Sequence, residues 1–252
     1  MLARCVTLFV AGSSAFELSA VRAPTRGLRA SAARMAGTEI AALGATNVFM
    51  FPGQGAQVVG MGVAAAESVP ACAALYAKAS AILGYDLLAL CKDGPKEELD
   101  TTVKSQPAIF VASMAAVEKL RASGPEGVAA IEAANAACGL SLGEYTALAF
   151  AGAISFEDGV TITKARGEAM QAASEAASSG MVSVIGLDAD KVTELCAAAA
   201  EKTGKPIAIA NFLCPGNYAC SGAMESVRHP IKSIKIGRYN VITIFGLARK
   251  RN

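Results

Sequence analysis

The chain has 252 residues, enough for one large α/β domain or for two smaller ones, and its 53% hydrophobic and 17% charged residues are typical of a globular protein. A formal net charge of +2 does not favour nucleic-acid binding, and no apolar run reaches the roughly 18 residues that span a bilayer. The seven cysteines form no C-x-x-C pair and there is one histidine, so we expect reduced, buried thiols and no metal site.

Residues 1–35 predict a targeting presequence. Arg4 precedes an apolar stretch at 6–11, and Ser13-Ser14-Ala15 satisfies the small-x-small cleavage pattern of a secretory signal. Arginines then recur among small and hydroxylated residues, as in a transit peptide. The combination resembles the bipartite presequence of complex plastids, with a mitochondrial or simple plastid presequence as the alternative. We expect the protein to be located in the plastid, with the mitochondrion as the less favoured alternative. We also expect residues 1–35 to stand outside the fold.

A short buried strand is predicted at Asn47–Phe51, followed by the turn-forming segment Pro52–Gln57. The glycines in that segment let the backbone approach a ligand closely. Because the segment lacks the Lys-Ser/Thr ending of a phosphate-binding loop, it is not interpreted as a nucleotide site.

Helices are predicted next, at about 61–83, around 85–91 and from Lys96. A longer apolar helix is predicted from Gln106-Pro107 to about Arg121, with the proline at its first position.

The segment Ala136–Glu144 predicts a strand, a tight turn and a helix with Ser141 at the apex. Its Gly-x-Ser-x-Gly pattern suits a sharp turn that lifts the serine hydroxyl out of the sheet. The following helix offers backbone N–H groups to a developing oxyanion. The pentapeptide alone fits a turn without chemistry equally well.

A helix opened by a Ser155 cap is predicted at about 156–178. The order strand, helix, strand, strand follows, with a further helix starting at Met224, which is most of a ferredoxin-like split βαβ unit. Its strands are predicted at 181–186, 207–211 and 218–221, and its helix at 189–200 with Asp188 as cap.

Residues 228–252 change composition abruptly, with seven Lys or Arg and no acidic residue. They are interpreted either as a basic interaction tail or as misjoined coding sequence. In neither case do we expect them to complete the split βαβ unit.

Five motifs together resemble malonyl-CoA:acyl carrier protein transacylases, and the resemblance covers about residues 46–227. They occur in the family's order, and Arg166 follows Ser141 by 25 residues, about where the family places its arginine. The motifs are Phe51-Pro52-Gly53-Gln54-Gly55-Ala56-Gln57, Gln106-Pro107-Ala108, Gly139-Leu140-Ser141-Leu142-Gly143-Glu144, Arg166-Gly167-x-x-Met170-Gln171 and Ala210-Asn211-Phe212-x-x-Pro215-Gly216-Asn217.

The resemblance implies an α/β fold: an α/β-hydrolase-like large subdomain at 46–178 and an inserted, partial ferredoxin-like subdomain at 179–227. Both would be incomplete at the C-terminus, where the divergent basic tail 228–252 follows. The implied activity is transfer of a malonyl group from coenzyme A to the phosphopantetheine thiol of acyl carrier protein, in fatty-acid biosynthesis.

Four residues receive catalytic roles from the resemblance. Ser141 would form the acyl-serine intermediate, and the backbone N–H groups of Gln54 and Leu142 would form the oxyanion hole. Arg166 would hold the malonyl carboxylate through a bidentate pair, its alternative being a helix-surface salt bridge.

Gln106 and Asn211 are interpreted as supporting hydrogen-bonding groups at the substrate site, with capping or turn roles as alternatives. Malonyl-CoA and acyl carrier protein are the expected partners of a monomer that needs no cofactor, membrane or nucleic acid.

Two positions depart from the family's pattern. Leu140 replaces a histidine that is not the catalytic base, so we expect it to be tolerated. The family's catalytic histidine follows the ferredoxin-like unit in a Phe-His context, whereas the histidine of this sequence, His229, stands between Arg228 and Pro230. We interpret His229 as an exposed loop residue and expect the chain as written, a truncated or divergent form, to transfer little malonyl.

Two other functions stay open at this point. A catalytically impaired form could act only by binding the carrier protein, or the serine turn could belong to an α/β-type serine hydrolase. The arginine motif argues against the hydrolase, because a simple esterase has no carboxylate to hold.

Overall fold

The structure, a computed structural model, describes residues 4–7, 20–21, 47–176, 178–233 and 244–245. They divide into two compact units, with the boundary between Gln171 and Ala172. We number strands and helices along the chain and describe each unit by itself.

The sheet of the first unit is built on two parallel strands, β3 (Asn47–Phe51) and β4 (Ala136–Gly139), with Phe51 opposite Gly139. β1 (Arg4–Thr7) pairs in parallel with β3, and β2 (Ala20–Val21) pairs antiparallel with β1. The structure thus differs from the expectation that residues 1–35 take no part in the fold, because two short segments of that region extend the sheet.

Eight helices among the described residues belong wholly or mainly to the first unit. The region predicted as one helix at 61–83 is two helices, because Pro70 keeps Val69 extended at φ −127°. The long helix starts at Thr102, so Pro107 lies inside it rather than at its first position. The helices are α1 (Val63–Ser68), α2 (Pro70–Leu83), α3 (Leu87–Asp93), α4 (Lys96–Leu99), α5 (Thr102–Ala122), α6 (Pro125–Glu132), α7 (Leu142–Phe150) and α8 (Phe156–Ala176).

α5 is the central helix of this unit. Most of its side chains are buried, and Phe110 packs in a core with residues from α1 to α3, α7 and α8. A second cluster joins α5 and α7 to β3, where the rings of Phe49 and Phe150 stack with centroids 4.6 Å apart. Taken singly, none of the helices in the described part of the chain has both the length and the apolarity to cross a bilayer; α2 and α3 meet that test only as a pair bent by 110°.

The second unit has a four-stranded sheet in which all neighbouring strands are antiparallel; with β8 at Ile244–Phe245, the strand order is β6-β7-β5-β8. α9 (Ala189–Thr203) connects β5 (Ser179–Ile185) to β6 (Ile207–Cys214), and β7 (Asn217–Ala223) lies between those two strands. This is the predicted split βαβ arrangement. Asp188 caps α9 as predicted, since its Oδ1 accepts from the Lys191 N–H at 2.8 Å.

Two further elements follow residue 223. Met224–Ser233 form the helix α10, and Ile244–Phe245 form β8, which pairs with β5 through Val182 and Met181. α10 begins at Met224, where the sequence pattern predicts a helix, whereas the two-residue strand β8 was not predicted. His229 lies within α10 rather than in a loop.

Candidate active site

Ser141 stands at the turn between β4 and α7, as predicted. Its backbone has φ 54° and ψ −107°, and among the described residues it is the one non-glycine with a positive φ. A side chain on Gly139 would collide with the Gly143 carbonyl, and one on Gly143 would collide with the Phe51 carbonyl. The two glycines of the pentapeptide therefore let the turn fold tightly against β3.

The predicted oxyanion segment Pro52–Gln57 lies beside this turn. The Leu140 N–H donates to the Phe51 carbonyl at 3.1 Å, and a Cβ on Gly53 would come within 2.6 Å of the Leu140 carbonyl oxygen. Gly53 is thus needed for the close approach of segment and turn.

Side chains from the end of α4 and the start of α5 fix the same segment. Gln54 Nε2 donates to Thr102 Oγ1 at 3.4 Å, and Gln57 Nε2 donates to Asp100 Oδ1 at 3.0 Å. Gln57 Oε1 also accepts from the Gly55 N–H at 2.7 Å. Burial alone would raise the pKa of Asp100, but hydrogen bonds from Lys96 and Gln57, with the charge of Lys96, bring the pKa below its usual value.

Leu142 is the first residue of α7 and is fully buried. The first N–H groups of a helix have no acceptor within the helix, and the helix dipole gives this end a partial positive charge. The N–H groups of the turn are therefore suited to hold a negative oxygen at Ser141.

Arg166 on α8 joins the serine to Gln106. Its Nη2 donates to Ser141 Oγ at 2.9 Å, and its Nη1 donates to Gln106 Oε1 at 2.6 Å. Because the guanidinium carries a fixed charge, it is the positive group at the nucleophile. The helix-surface salt bridge considered from the sequence is not its arrangement here.

Close packing of α8 on α5 explains how Arg166 reaches this position. A Cβ on Gly167 would lie 2.8 Å from the Thr102 carbonyl oxygen, and one on Gly159 would overlap the Phe110 ring. Two helices can approach this closely only where a side chain is missing. The glycine that follows Arg166 in the motif therefore brings the arginine to the serine.

Gln106 is completely buried on α5. Its Oε1 accepts from Arg166, while its Nε2 donates to Met170 Sδ at 3.3 Å. Both ends of the amide are occupied, so Gln106 acts on the site through Arg166. The capping role considered from the sequence does not apply, since the residue lies within the helix.

Tyr145 is a residue that the sequence reasoning missed. Its ring centroid lies 5.7 Å from the Arg166 Cζ, so the guanidinium has an aromatic neighbour as well as two hydrogen-bonding partners. The available signal was its spacing, because a residue four positions after Ser141 lies one turn along the helix that the serine opens.

Two sequence candidates belong to the second unit and are not among the residues brought together here. Asn211 is an exposed residue of β6, next to an irregularity in the pairing with β7. His229 lies in α10, and its side chain is outside what the structure describes. The site assembled within the first unit comprises Ser141, Arg166 and Gln106, with the Gln54 segment beside the turn.

Comparison with known proteins shows which family the chain resembles in sequence. Over residues 48–236 the chain matches the acyl transferase domain family. It is 47% identical over 199 residues to the human protein named malonyl-CoA-acyl carrier protein transacylase, mitochondrial, covering 77% of this chain and 50% of that one. The chain spans about half the length of the curated relatives it matches.

Solved structures of transacylases are similar to this chain as well. The malonyl CoA-acyl carrier protein transacylase of Coxiella burnetii superposes with a TM-score of 0.69 at 33% identity, covering 78% of this chain and 60% of that one. A malonyl-transacylase solved in complex with a type II polyketide synthase acyl-carrier protein superposes with a TM-score of 0.68 at 34% identity, covering 80% and 62%. The predicted fold class and the resemblance based on five motifs are confirmed. The chain belongs to the acyl transferase domain family, and its relatives within that family are malonyl-CoA-acyl carrier protein transacylases.

Proposed function

We propose that this protein transfers a malonyl group from coenzyme A to the phosphopantetheine thiol of an acyl carrier protein, in fatty-acid biosynthesis. The observation that carries the proposal is the guanidinium of Arg166, 2.9 Å from Ser141 Oγ and held on its other side by Gln106. A nucleophile beside a fixed cation suits an acyl group that ends in a carboxylate. The family and the names of its relatives support the same substrate.

In the first half-reaction, Ser141 Oγ attacks the thioester carbon of malonyl-CoA. The new C–O bond replaces the C–S bond, and coenzyme A leaves as the thiol with the proton that the serine gives up. Backbone N–H groups of Gln54 and Leu142 stabilise the oxyanion, while Arg166 binds the distal carboxylate.

In the second half-reaction, the phosphopantetheine thiol attacks the malonyl-serine ester. The ester C–O bond breaks, Ser141 regains its proton, and the malonyl group leaves as a thioester of the carrier protein. Because both half-reactions exchange an ester and a thioester at one carbon, one oxyanion site and one carboxylate site serve both. The resemblance to a malonyl-transacylase solved with a carrier protein supports this partner.

Mass spectrometry of the intact protein mixed with malonyl-CoA tests the proposal. We expect a malonyl adduct on the peptide that contains Ser141, removed by adding the thiol of a phosphopantetheinylated carrier protein. Added imidazole supplies a proton acceptor in solution and should speed adduct formation. The Ser141→Ala protein should carry no adduct, and absence of the adduct from the unmodified protein, with and without imidazole, would refute the proposal.

The location that we propose is the plastid, supported by the composition of residues 1–35; the human relative is by name mitochondrial. Residues 1–35 fused to a fluorescent protein should direct it to plastids in an alga with complex plastids. Accumulation in mitochondria would contradict this location without affecting the proposed reaction.

A further inference from the structure

The two ends of the Arg166 guanidinium are held differently. Nη1 donates to Gln106 Oε1, and Gln106 is completely buried with its amide nitrogen bonded to Met170 Sδ. Nη2 donates to Ser141 Oγ, a contact near the exposed surface. Because Gln106 is buried and both polar atoms of its side chain are hydrogen-bonded, we expect the contact from Nη1 to persist. We expect the contact from Nη2 to Ser141 to be the one that another acceptor can replace.

We expect this contact to lower the reactivity of Ser141. Attack on an acyl carbon requires a lone pair of the hydroxyl oxygen, and in this arrangement the oxygen accepts a hydrogen bond from a cation. The hydrogen bond from the guanidinium engages a lone pair of that oxygen and draws electron density from it. Hydrogen bonds to charged groups are among the stronger ones in proteins, so leaving this contact without a replacement is costly.

We propose that Arg166 blocks Ser141 in the unliganded protein and that a carboxylate on the acyl group releases the serine. This proposal rests on the proposed function, which makes the acyl group malonyl. It adds a second role for the malonyl carboxylate, namely the release of the nucleophile Ser141. A carboxylate is a stronger acceptor than a hydroxyl, so it takes over Nη2 while Nη1 stays on Gln106. Ser141 Oγ then attacks the thioester carbon, the C–S bond breaks, and coenzyme A leaves with the hydroxyl proton.

This arrangement slows the reaction of uncharged acyl groups with Ser141, in addition to any difference in how tightly the acyl groups bind. An acetyl group offers no acceptor for Nη2, so only water replaces Ser141 at Nη2 when the contact breaks before attack. The free energy of a hydrogen bond to a charged group predicts that uncharged acyl groups react roughly tenfold to a hundredfold more slowly. Arg166 is then a specificity determinant that acts on the serine as well as on the substrate.

A neutral fluorophosphonate tests the block, because it reacts with serine and carries no carboxylate. Ser141 Oγ bonds to phosphorus, the P–F bond breaks, fluoride leaves, and the hydroxyl proton goes to the buffer. We expect Arg166→Met to raise the labelling rate of Ser141 by roughly tenfold to a hundredfold. Arg121→Met is the matched control, since Arg121 on α5 is half-exposed and paired with Glu118 at 3.3 Å, and it should leave the rate unchanged. An equal or lower rate in Arg166→Met, or no labelling in it, overturns the proposal.

Formate tests the release on the unmodified protein. It has the carboxylate of the malonyl group and little else, so it should accelerate labelling of Ser141; its neutral analogue formamide, and chloride at the same ionic strength, should not. In Arg166→Met the acceleration should disappear. Slower or unchanged labelling with formate overturns the proposal.

Malonyl-adduct formation measured on the same preparations separates this proposal from the proposed function. A malonyl adduct on Ser141, together with labelling that responds neither to Arg166→Met nor to formate, refutes the block and keeps the transferase. Labelling that responds as expected without a malonyl adduct supports the block and refutes malonyl-CoA as the donor.

Discussion

The side chains of the site are linked by a series of hydrogen bonds that ends at Ser141. Met170 and Arg166 occupy the two ends of the Gln106 amide, Gln106 fixes one end of the guanidinium, and the guanidinium meets Ser141. A change at Gln106 is therefore expected to affect the reaction although Gln106 is buried on the far side of Arg166 from the serine.

We predict that Gln106→Leu lowers kcat/KM for malonyl transfer by about tenfold, mainly through a higher KM. Leucine has a similar volume but leaves Arg166 Nη1 without its acceptor, and a lost hydrogen bond to a charged group costs about 1.5 kcal/mol or more. Steady-state kinetics over a range of malonyl-CoA concentrations measure the effect. Met170→Leu removes only a weak sulfur acceptor and should change kcat/KM by less than about threefold. Equal losses in the two variants would show that Gln106 does not position Arg166.

At the scale of secondary structure, the site depends on where backbones come unusually close. α8 approaches α5 at Gly159 and Gly167, and the Pro52–Gln57 segment approaches the serine turn at Gly53. The backbone contacts of Gly167 and Gly53 cannot move aside as a flexible side chain could, so changes there should affect both stability and geometry.

We predict that Gly167→Ala destabilises the protein by about 1–3 kcal/mol, because the added methyl group would lie 2.8 Å from the Thr102 carbonyl oxygen. Displacement of α8 would also move Arg166, so malonyl transfer should fall further than stability alone explains. Urea unfolding and transfer assays at a temperature where both proteins are folded measure the two effects. Ala169→Ser adds one atom at an exposed position of the same helix; it should lower stability by no more than about 0.5 kcal/mol and leave transfer unchanged.

A pH effect is expected at the end of α4, where Asp100 anchors Gln57. Because the pKa of Asp100 lies below its usual value, its interactions contribute fully above the ordinary aspartate pKa and are lost as the pH falls through the lowered one. The carboxylate is partly exposed, so the contribution should stay below about 1 kcal/mol. Unfolding free energies of the unmodified and Asp100→Asn proteins should differ by that amount at pH 7 and converge toward pH 3. A difference that grows on acidification would contradict this assignment.

At the scale of the whole molecule, each of the two units has its own core, and both cores contain buried thiols. Burial raises the pKa of Cys91 to about 12, so almost no thiolate forms there at pH 8. Cys220 is buried in the second unit, where its contact with Cys196 and its burial raise its pKa. The same contact lowers the pKa of Cys196, so that thiol is protected by its burial rather than by its pKa.

We predict that iodoacetamide at pH 8 spares the buried thiols of both units in the native protein and modifies them after unfolding in urea. Peptide mass spectrometry reports each unit separately. Rapid native modification of the second-unit pair alone would show that this unit is not stably folded on the chain as written. The buried thiols are Cys72 and Cys91 in the first unit and Cys196 and Cys220 in the second, while Cys138 and Cys214 are half-buried and should react earlier.

Much of this arrangement could be predicted from the sequence because the signals were local. The glycines around Ser141 define the turn, and Asp188 and Ser155 cap helices where the pattern predicts, with Ser155 Oγ accepting from the Asp158 N–H at 3.0 Å. The contact of Arg166 with Ser141 depends on how closely α8 packs on α5, which composition and periodicity do not contain. β8 was not predicted, because residues 228–252 have a basic, alanine-poor composition and the pairing of β8 with β5 depends on tertiary contacts.

The dihedral angles of Ser141 imply a trade-off between activity and stability. An L-residue held at φ 54° and ψ −107° costs of order 1–3 kcal/mol, and glycine avoids most of that cost. We therefore predict that Ser141→Gly, which cannot form an acyl-enzyme, melts at a higher temperature than the unmodified protein, whereas Ser141→Ala does not. Calorimetry of the two variants measures the difference, and a lower melting temperature for the glycine variant would refute it. The protein would then be most stable in the form that has lost its nucleophile.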